Sequence, residues 1–138
     1  MNEVDCAIAV PYNNIGLDFH IKDLGLYKGI RTDYAKMMED REKVIASGRT
    51  TCVREGYVAY YPMAVNVNYG ISGVAVFWEQ IGFRTDSPPF ILGGDSGSLA
   101  LDLDHNIVAL RFAGDSNGVL GIGNRIDLVL KKLNLKLL

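Results

Sequence analysis

The middle of the chain alternates apolar and polar residues with a period of two, which is the pattern of half-buried β-strands. Tyr57–Tyr61 is rich in residues that favour strands. Val65–Tyr69 alternates strictly, Gly70–Gly73 contains the turn residues, and Val74–Trp78 is again strand-like. This succession predicts a β-hairpin.

A second hairpin is predicted further along the chain. Leu99–Leu103 alternates, Asp104–Asn106 has turn chemistry, and Ile107–Phe112 returns as an apolar strand. Val119–Ile122 is a further short strand. In all, the pattern predicts about six short strands, and this spacing is typical of a closed or nearly closed antiparallel barrel.

The tail of the chain changes to helical spacing, with apolar residues at Ile126, Val129, Leu130 and Leu133. These positions are i, i+3, i+4 and i+7, so they predict an amphipathic C-terminal α-helix. The charged segment Arg31–Lys43 has room for only a helical turn or two, because its apolar face is thin. We therefore expect one all-β domain over residues 1–138, ending in a helix.

Composition narrows the function classes. The chain has 138 residues, 49% of them hydrophobic, which suffices for one buried core. The net charge of −2 gives no basis for nucleic-acid binding. There is no apolar run long enough to cross a membrane and no signal-peptide pattern, so we expect no membrane partner. The compartment stays open; it is cytoplasmic if the chain is the complete gene product.

Two cysteines, Cys6 and Cys52, do not form a disulfide framework. One bridge between them is an alternative, but buried free thiols are the favoured interpretation because free cysteine is commonly buried. No set of histidine and cysteine residues has the spacing of zinc ligands, and no acidic loop resembles a calcium site. We expect no metal and no cofactor.

The candidate chemistry lies in the glycine-rich hexapeptide Gly93–Ser98. A serine nucleophile needs an exposed hydroxyl and nearby backbone N–H groups that stabilise an oxyanion. Ser96 would be that nucleophile, and Gly94 and Ser96 would supply the two N–H groups. The alternative is a plain glycine-rich β-turn with no chemistry.

Five blocks in order carry a family resemblance: Ser47–Thr51, Phe77–Ile81, Gly93–Ser98, Val108–Gly114 and Asn124–Ile126. Their order resembles the C-terminal barrel of chymotrypsin/trypsin-like serine proteases, and narrowly that of bacterial-type trypsin-like proteins with Gly-Arg-Thr-Thr and Gly-Asp-Ser-Gly-Ser blocks. The resemblance extends over Asp5–Leu133. It implies a six-stranded antiparallel Greek-key barrel, one half of the trypsin-like double barrel.

The resemblance also implies roles in catalysis. Ser96 matches the nucleophile, and Gly94 and Ser96 match the backbone donors of the oxyanion hole. Asp5, in the stretch Val4–Ile8, matches the triad aspartate, with a surface aspartate as the alternative. Asp95 matches a buried carboxylate whose partner here would be Arg49, Arg111 or solvent.

The same resemblance implies a peptide-binding strand and a specificity pocket. Phe112, Ala113 and Gly114 match the strand that lends backbone hydrogen bonds to a peptide substrate. Phe90 matches the pocket floor, where an apolar residue disfavours arginine and lysine side chains. The alternative for Phe90 is an ordinary core position.

A general-base histidine is missing from the pattern. In the family it belongs to an N-terminal barrel upstream of the aspartate, and we expect that barrel to be absent here. His105 falls in a hairpin turn that should point away from Ser96, and His20 is out of family order. A general base must lie within hydrogen-bond reach of the hydroxyl, and neither position offers that.

The sequence therefore predicts a trypsin-like serine endopeptidase fragment that acts on peptide or protein substrates and is inactive alone. The alternative function is a non-catalytic peptide- or protein-binding module that uses the half-barrel. Because a lone barrel exposes an apolar face, a homodimer or the missing N-terminal barrel would be its partner. An unrelated small β-domain is a third interpretation.

Overall fold

The computed structural model describes residues 2–12 and 16–137. In chain order the elements are β1 (Gly29–Ile30), α1 (Tyr34–Glu39), β2 (Lys43–Gly48), β3 (Cys52–Asn68), a 3₁₀ turn (Gly70–Ser72), β4 (Val74–Arg84), β5 (Leu99–Asp102), β6 (Asn106–Gly114), β7 (Leu120–Arg125) and α2 (Ile126–Leu133). The chain is thus mainly β, and both the predicted hairpins and the predicted terminal helix are confirmed.

Six of the strands close into an antiparallel barrel. The order around the ring is β2, β3, β4, β7, β6 and β5, and β5 returns to pair with β2. This return of β5 beside β2, after the consecutive neighbours β2, β3 and β4, is a Greek-key connection. Closure leaves no open edge in the ring. The predicted six-stranded Greek-key barrel with a C-terminal helix is confirmed.

The two segments predicted as separate strands, Tyr57–Tyr61 and Val65–Tyr69, are joined in the single strand β3, which ends at Asn68. The pairing of β3 with β4 shifts register three times between Val58 and Val65, and Pro62 has no partner in that ladder. Proline cannot donate a ladder hydrogen bond, so the irregular stretch is where the strand tolerates it. The short strand β1 pairs in parallel with β6 and was not predicted.

The barrel interior is the main core. It is formed by buried side chains from α1 and all the barrel strands except β7, together with Phe90 from the loop after β4. A second cluster lies between α2 and the outer side of β5 and β6, and includes Leu101, Ile107, Ile126 and Val129. The helix therefore covers one flank of the barrel.

The N-terminal segment lies along β4. Asn2 exchanges backbone hydrogen bonds with Val76 (3.3 Å) and Trp78 (3.2 Å), and Gln80 Nε2 donates to the Glu3 carbonyl at 2.8 Å. These contacts hold the N-terminal segment against β4 and so place Asp5 at the end of the barrel.

Both thiols are free. Cys6 is half-buried and Cys52 is exposed, so the expectation of buried thiols is wrong for Cys52. Cys52 follows the β2–β3 turn and faces outward. No helix in residues 2–12 and 16–137 is long and apolar enough to cross a membrane.

Candidate active site

The glycine-rich turn projects Ser96 from the end of the loop that joins β4 to β5. Gly94 and Gly97 have φ angles of 99° and 88°, which glycine adopts without strain. The Gly97 N–H donates to the Arg111 carbonyl at 2.8 Å, and the Ser98 N–H donates to the Asp95 carbonyl at 3.1 Å. The turn is thus fixed both internally and to β6.

The Ser96 hydroxyl is exposed and donates to the Phe112 carbonyl of β6 at 3.1 Å. Within the described residues, the N–H groups of Gly94 and Ser96 donate to no protein acceptor, although those of Asp95, Gly97 and Ser98 do. Two N–H groups flanking an exposed hydroxyl are therefore available to an oxygen of a bound molecule.

The carboxylate of Asp95 lies beneath the turn and is 1% exposed. It accepts backbone N–H groups from Thr50 (2.7 Å), Thr51 (3.2 Å) and Leu92 (3.0 Å). Burial alone raises the pKa of Asp95, but these donors outweigh it and hold the pKa below its usual value. Its hydrogen-bond partners are therefore backbone amides, where the sequence suggested Arg49, Arg111 or solvent.

Arg111 of β6 is fully buried next to the same turn. Its guanidinium donates to the Ser98 hydroxyl at 2.9 and 2.6 Å and to the Phe90 carbonyl at 2.6 Å. Burial lowers the pKa of Arg111 to about 10, and the charge of Asp95 partly opposes that effect. The side chain joins Phe90, in the middle of the β4–β5 loop, to Ser98 at the end of that loop.

Two cavities meet at Ser96. One, of about 420 Å³, is lined by Ile91, Leu92, Gly93, Ser96, Ala113, Gly114, Asp115 and Ser116. The other, of about 330 Å³, is lined by Asp5, Cys6, Ala7, Ser96, Gly97, Leu110, Arg111 and Phe112. Ser96 therefore lies between two clefts, one along β6 and one lined by Asp5.

The residues predicted to bind substrate separate into two groups. Phe112, Ala113 and Gly114 line the two cavities. Phe90 does not: it is 0% exposed and packs against Phe83 in the barrel core, with ring centroids 5.6 Å apart. The neighbouring Ile91 lines the cavity instead.

Asp5 is fixed through its backbone and through its side chain. Its N–H donates to Asn124 Oδ1 at 2.8 Å, and Asn124 Nδ2 donates back to the Asp5 carbonyl at 2.7 Å. Its carboxylate accepts the hydroxyl of Tyr69. Asn124 belongs to the sequence block Asn124–Ile126. No sequence signal points to Tyr69, because only the long β3–β4 hairpin brings it near Asp5.

Both histidines lie outside the two cavities. His20 pairs with Asp18 at 2.6 Å in an exposed loop. His105 precedes β6 by one residue and is seven residues from Phe112, which corresponds to roughly 20 Å along a strand. Neither histidine lines a cavity next to Ser96.

Within the described ranges, no cluster of three histidine, cysteine, aspartate or glutamate side chains is arranged to hold a metal ion.

Comparison with solved structures identifies the fold. The chain aligns with a chymotrypsin from Cellulomonas bogoriensis at a TM-score of 0.56 and 18% identity, over 81% of this chain and 53% of that one. The protein has a chymotrypsin-like serine protease fold. A glutamic-acid-specific serine protease, described as using a histidine triad in substrate binding, aligns at a TM-score of 0.53 and 22% identity.

This alignment covers 68% of the present chain and 46% of the glutamic-acid-specific protease. The chain therefore spans about half the length of the chymotrypsin-like proteases that it matches. No protein-family model and no curated protein matches its sequence. The chymotrypsin-like scaffold is thus established from three-dimensional similarity.

Proposed function

We propose that this barrel is the serine-bearing half of a serine endopeptidase that hydrolyses peptide bonds. The observation that carries the proposal is the position of Ser96, an exposed hydroxyl between two cavities and beside two unengaged N–H groups. An exposed serine, two amides with no acceptor among the described residues, and an aspartate lining the same cavity are the parts of an acyl-transfer site other than the general base.

In this mechanism the Ser96 Oγ attacks the scissile carbonyl carbon while a general base takes its proton. The N–H groups of Gly94 and Ser96 stabilise the negative oxygen of the tetrahedral intermediate. The C–N bond then breaks, and the protonated base returns the proton to the leaving amine. Water then attacks the ester carbonyl while the base takes its proton, and the ester C–O bond breaks as the base returns the proton to the Ser96 Oγ, releasing the carboxylic acid.

The base itself comes from outside the described part of the chain, and Asp5 orients it. A ring placed in the cavity shared by Asp5 and Ser96 would lie beside both residues, because both line it. That cavity, of about 330 Å³, has room for an imidazole. The barrel alone is therefore expected to lack peptidase activity, because losing one triad member commonly costs on the order of 10⁴–10⁶ in rate.

Added imidazole provides the test. A fluorophosphonate probe reacts when the Ser96 Oγ attacks phosphorus, fluoride leaves and the base accepts the serine proton. We expect slow labelling of the chain alone and roughly tenfold or faster labelling with imidazole, which is part of what a positioned general base contributes. Mass spectrometry of the labelled peptides should place the adduct on Ser96.

Two variants control this experiment. Ser96→Ala should abolish labelling, and Ser72→Ala, which removes an exposed serine at the β3–β4 hairpin tip, should leave it unchanged. Labelling that is fast without imidazole, or that imidazole does not accelerate, would contradict the proposal. Binding of peptides without labelling would instead support a non-catalytic peptide-binding module.

A further inference from the structure

Tyr69 lies at the tip of the β3–β4 hairpin, one residue beyond β3, and its hydroxyl donates to Asp5 Oδ2. The tip is held by its own backbone, since the Tyr69 N–H donates to the Gly73 carbonyl at 2.9 Å. The hairpin therefore presents one side chain to a carboxylate 64 positions earlier in the chain.

A row of aromatic rings connects Tyr69 to the serine. The Tyr69 ring lies 6.4 Å from that of Phe77, and Phe77 lies 5.2 Å from Phe112. Phe112 in turn offers its carbonyl to the Ser96 hydroxyl. The aromatic packing that holds Tyr69 near Asp5 therefore extends to β6, the strand whose Phe112 carbonyl accepts the Ser96 hydroxyl.

The two oxygens of Asp5 are in different situations. Oδ2 accepts the Tyr69 hydroxyl, whereas Oδ1 has no hydrogen-bond partner within residues 2–12 and 16–137. Partial burial and the neighbouring carboxylate raise the pKa of Tyr69 to about 12. The phenol therefore stays protonated and remains a donor at neutral pH.

We propose that Tyr69 is a positioning residue that fixes the Asp5 carboxylate, so that its second oxygen faces the cavity shared with Ser96. Asn124 fixes the Asp5 backbone and Tyr69 fixes the side chain, and together they set the direction of Oδ1. This inference rests on the proposed function, because an oriented carboxylate matters for a base that stands between Asp5 and Ser96.

The first test measures how the Tyr69→Phe variant responds to imidazole in the fluorophosphonate reaction. The substitution keeps the ring on Phe77 and removes only the hydroxyl. We expect the imidazole-dependent labelling rate to fall roughly fivefold, the order expected when a hydrogen bond with a net contribution of about 1 kcal/mol is lost. Tyr60→Phe is the matched control, because Tyr60 lies on the same hairpin and both tyrosines are 42% exposed.

A double-mutant cycle separates positioning from packing. If Tyr69 acts through Asp5, then Tyr69→Phe has no further effect on imidazole-dependent labelling in an Asp5→Ala background. An equal loss in both backgrounds, or no loss in the wild-type background, overturns the inference.

A second measurement does not depend on labelling. The Hα–Hβ coupling constants of Asp5, measured by NMR, should report one fixed rotamer in the wild type and an average over rotamers in Tyr69→Phe. If imidazole fails to activate the wild type, the proposed function fails, and these couplings still decide the role of Tyr69. Identical couplings in the two proteins overturn that role.

Discussion

Arg111 carries a charge into the interior next to the serine turn, and its hydrogen bonds explain why the barrel tolerates it. A buried guanidinium is costly unless its N–H groups are satisfied. Here the Ser98 hydroxyl and the Phe90 carbonyl accept them, and the buried Asp95 carboxylate supplies the opposite charge nearby. At the scale of single residues, the loop is thus held by polar contacts that are themselves buried.

Replacing this arginine should loosen the loop. Arg111→Met keeps much of the side-chain volume but leaves the Phe90 carbonyl and the Ser98 hydroxyl without their donor. Each buried group left unpaired costs about 1–3 kcal/mol, so we expect the free energy of unfolding to fall by about 2–4 kcal/mol in urea titrations. Arg84→Met, at an exposed arginine on β4, is the control and should change it by less than about 0.5 kcal/mol. Equal losses in both variants would contradict a special role for Arg111.

Site residues differ in how visible they are in the sequence. Ser96 and Gly94 could be proposed as site residues only because five sequence blocks occur in a family order, since the glycine-rich hexapeptide alone also fits a plain β-turn. Phe90 and Ile91 are adjacent, and only the packing of Phe90 against Phe83 decides that Phe90 belongs to the core and Ile91 to the cavity. Contacts made over long sequence separations leave no local pattern.

At the scale of elements, the β2–β3 turn and the serine loop form one unit joined by Asp95. Thr50 and Thr51 in the turn donate their N–H groups to its carboxylate, and the Thr50 hydroxyl donates to the Gly93 carbonyl at 2.8 Å. The last residue of β2, Gly48, lies against the same carboxylate with no space for a side chain. The position of the serine loop therefore depends on how closely β2 approaches it.

A methyl group at Gly48 should separate these elements. The Cβ of Gly48→Ala would overlap the Asp95 carboxylate, which is held by three backbone donors and cannot move without losing them. We expect about 2–4 kcal/mol of destabilisation in urea titrations, in the range of strained or broken buried networks. Gly29→Ala is the matched strand glycine, because its nearest neighbour, Asn106 Oδ1, would lie 3.4 Å from the new methyl. Similar stability of both variants would exclude the steric coupling.

The elements themselves were predictable to different degrees. Strict alternation flanking Gly70–Gly73 was enough to predict a hairpin, and helical spacing was enough for α2. The two-residue strand β1 was not predictable, because it exists only through its pairing with β6. The merger of two predicted strands across Pro62 was likewise invisible, since the register shifts that accommodate proline belong to the pairing with β4.

At the scale of the whole molecule, hydrogen bonds to ionised carboxylates make the stability of the closed barrel sensitive to acid. Burial raises the pKa of Asp127, but hydrogen bonds from Arg125 and Tyr34 lower it more. The pKa of Asp127 therefore lies below its usual value, and so does the pKa of Asp95. A carboxyl with a lowered folded-state pKa contributes stability above its unfolded pKa of about 4 and loses it as the pH falls through the folded value. The barrel should therefore be stable at neutral pH and weaken as the pH falls below about 4.

Urea unfolding followed from pH 7 down to pH 3 measures this effect. The wild-type free energy of unfolding should fall over this range, and part of the fall should come from Asp95. In Asp95→Asn the group no longer titrates, so its curve should start about 1.5–3 kcal/mol lower at pH 7, because hydrogen bonds to a charged group are lost. It should then approach the wild-type curve at low pH, where the wild-type carboxyl becomes protonated. Asp86→Asn, which removes an exposed carboxylate, is the charge-matched control. Parallel curves for wild type and Asp95→Asn would show that the buried carboxyl does not link the serine loop to the stability of the barrel.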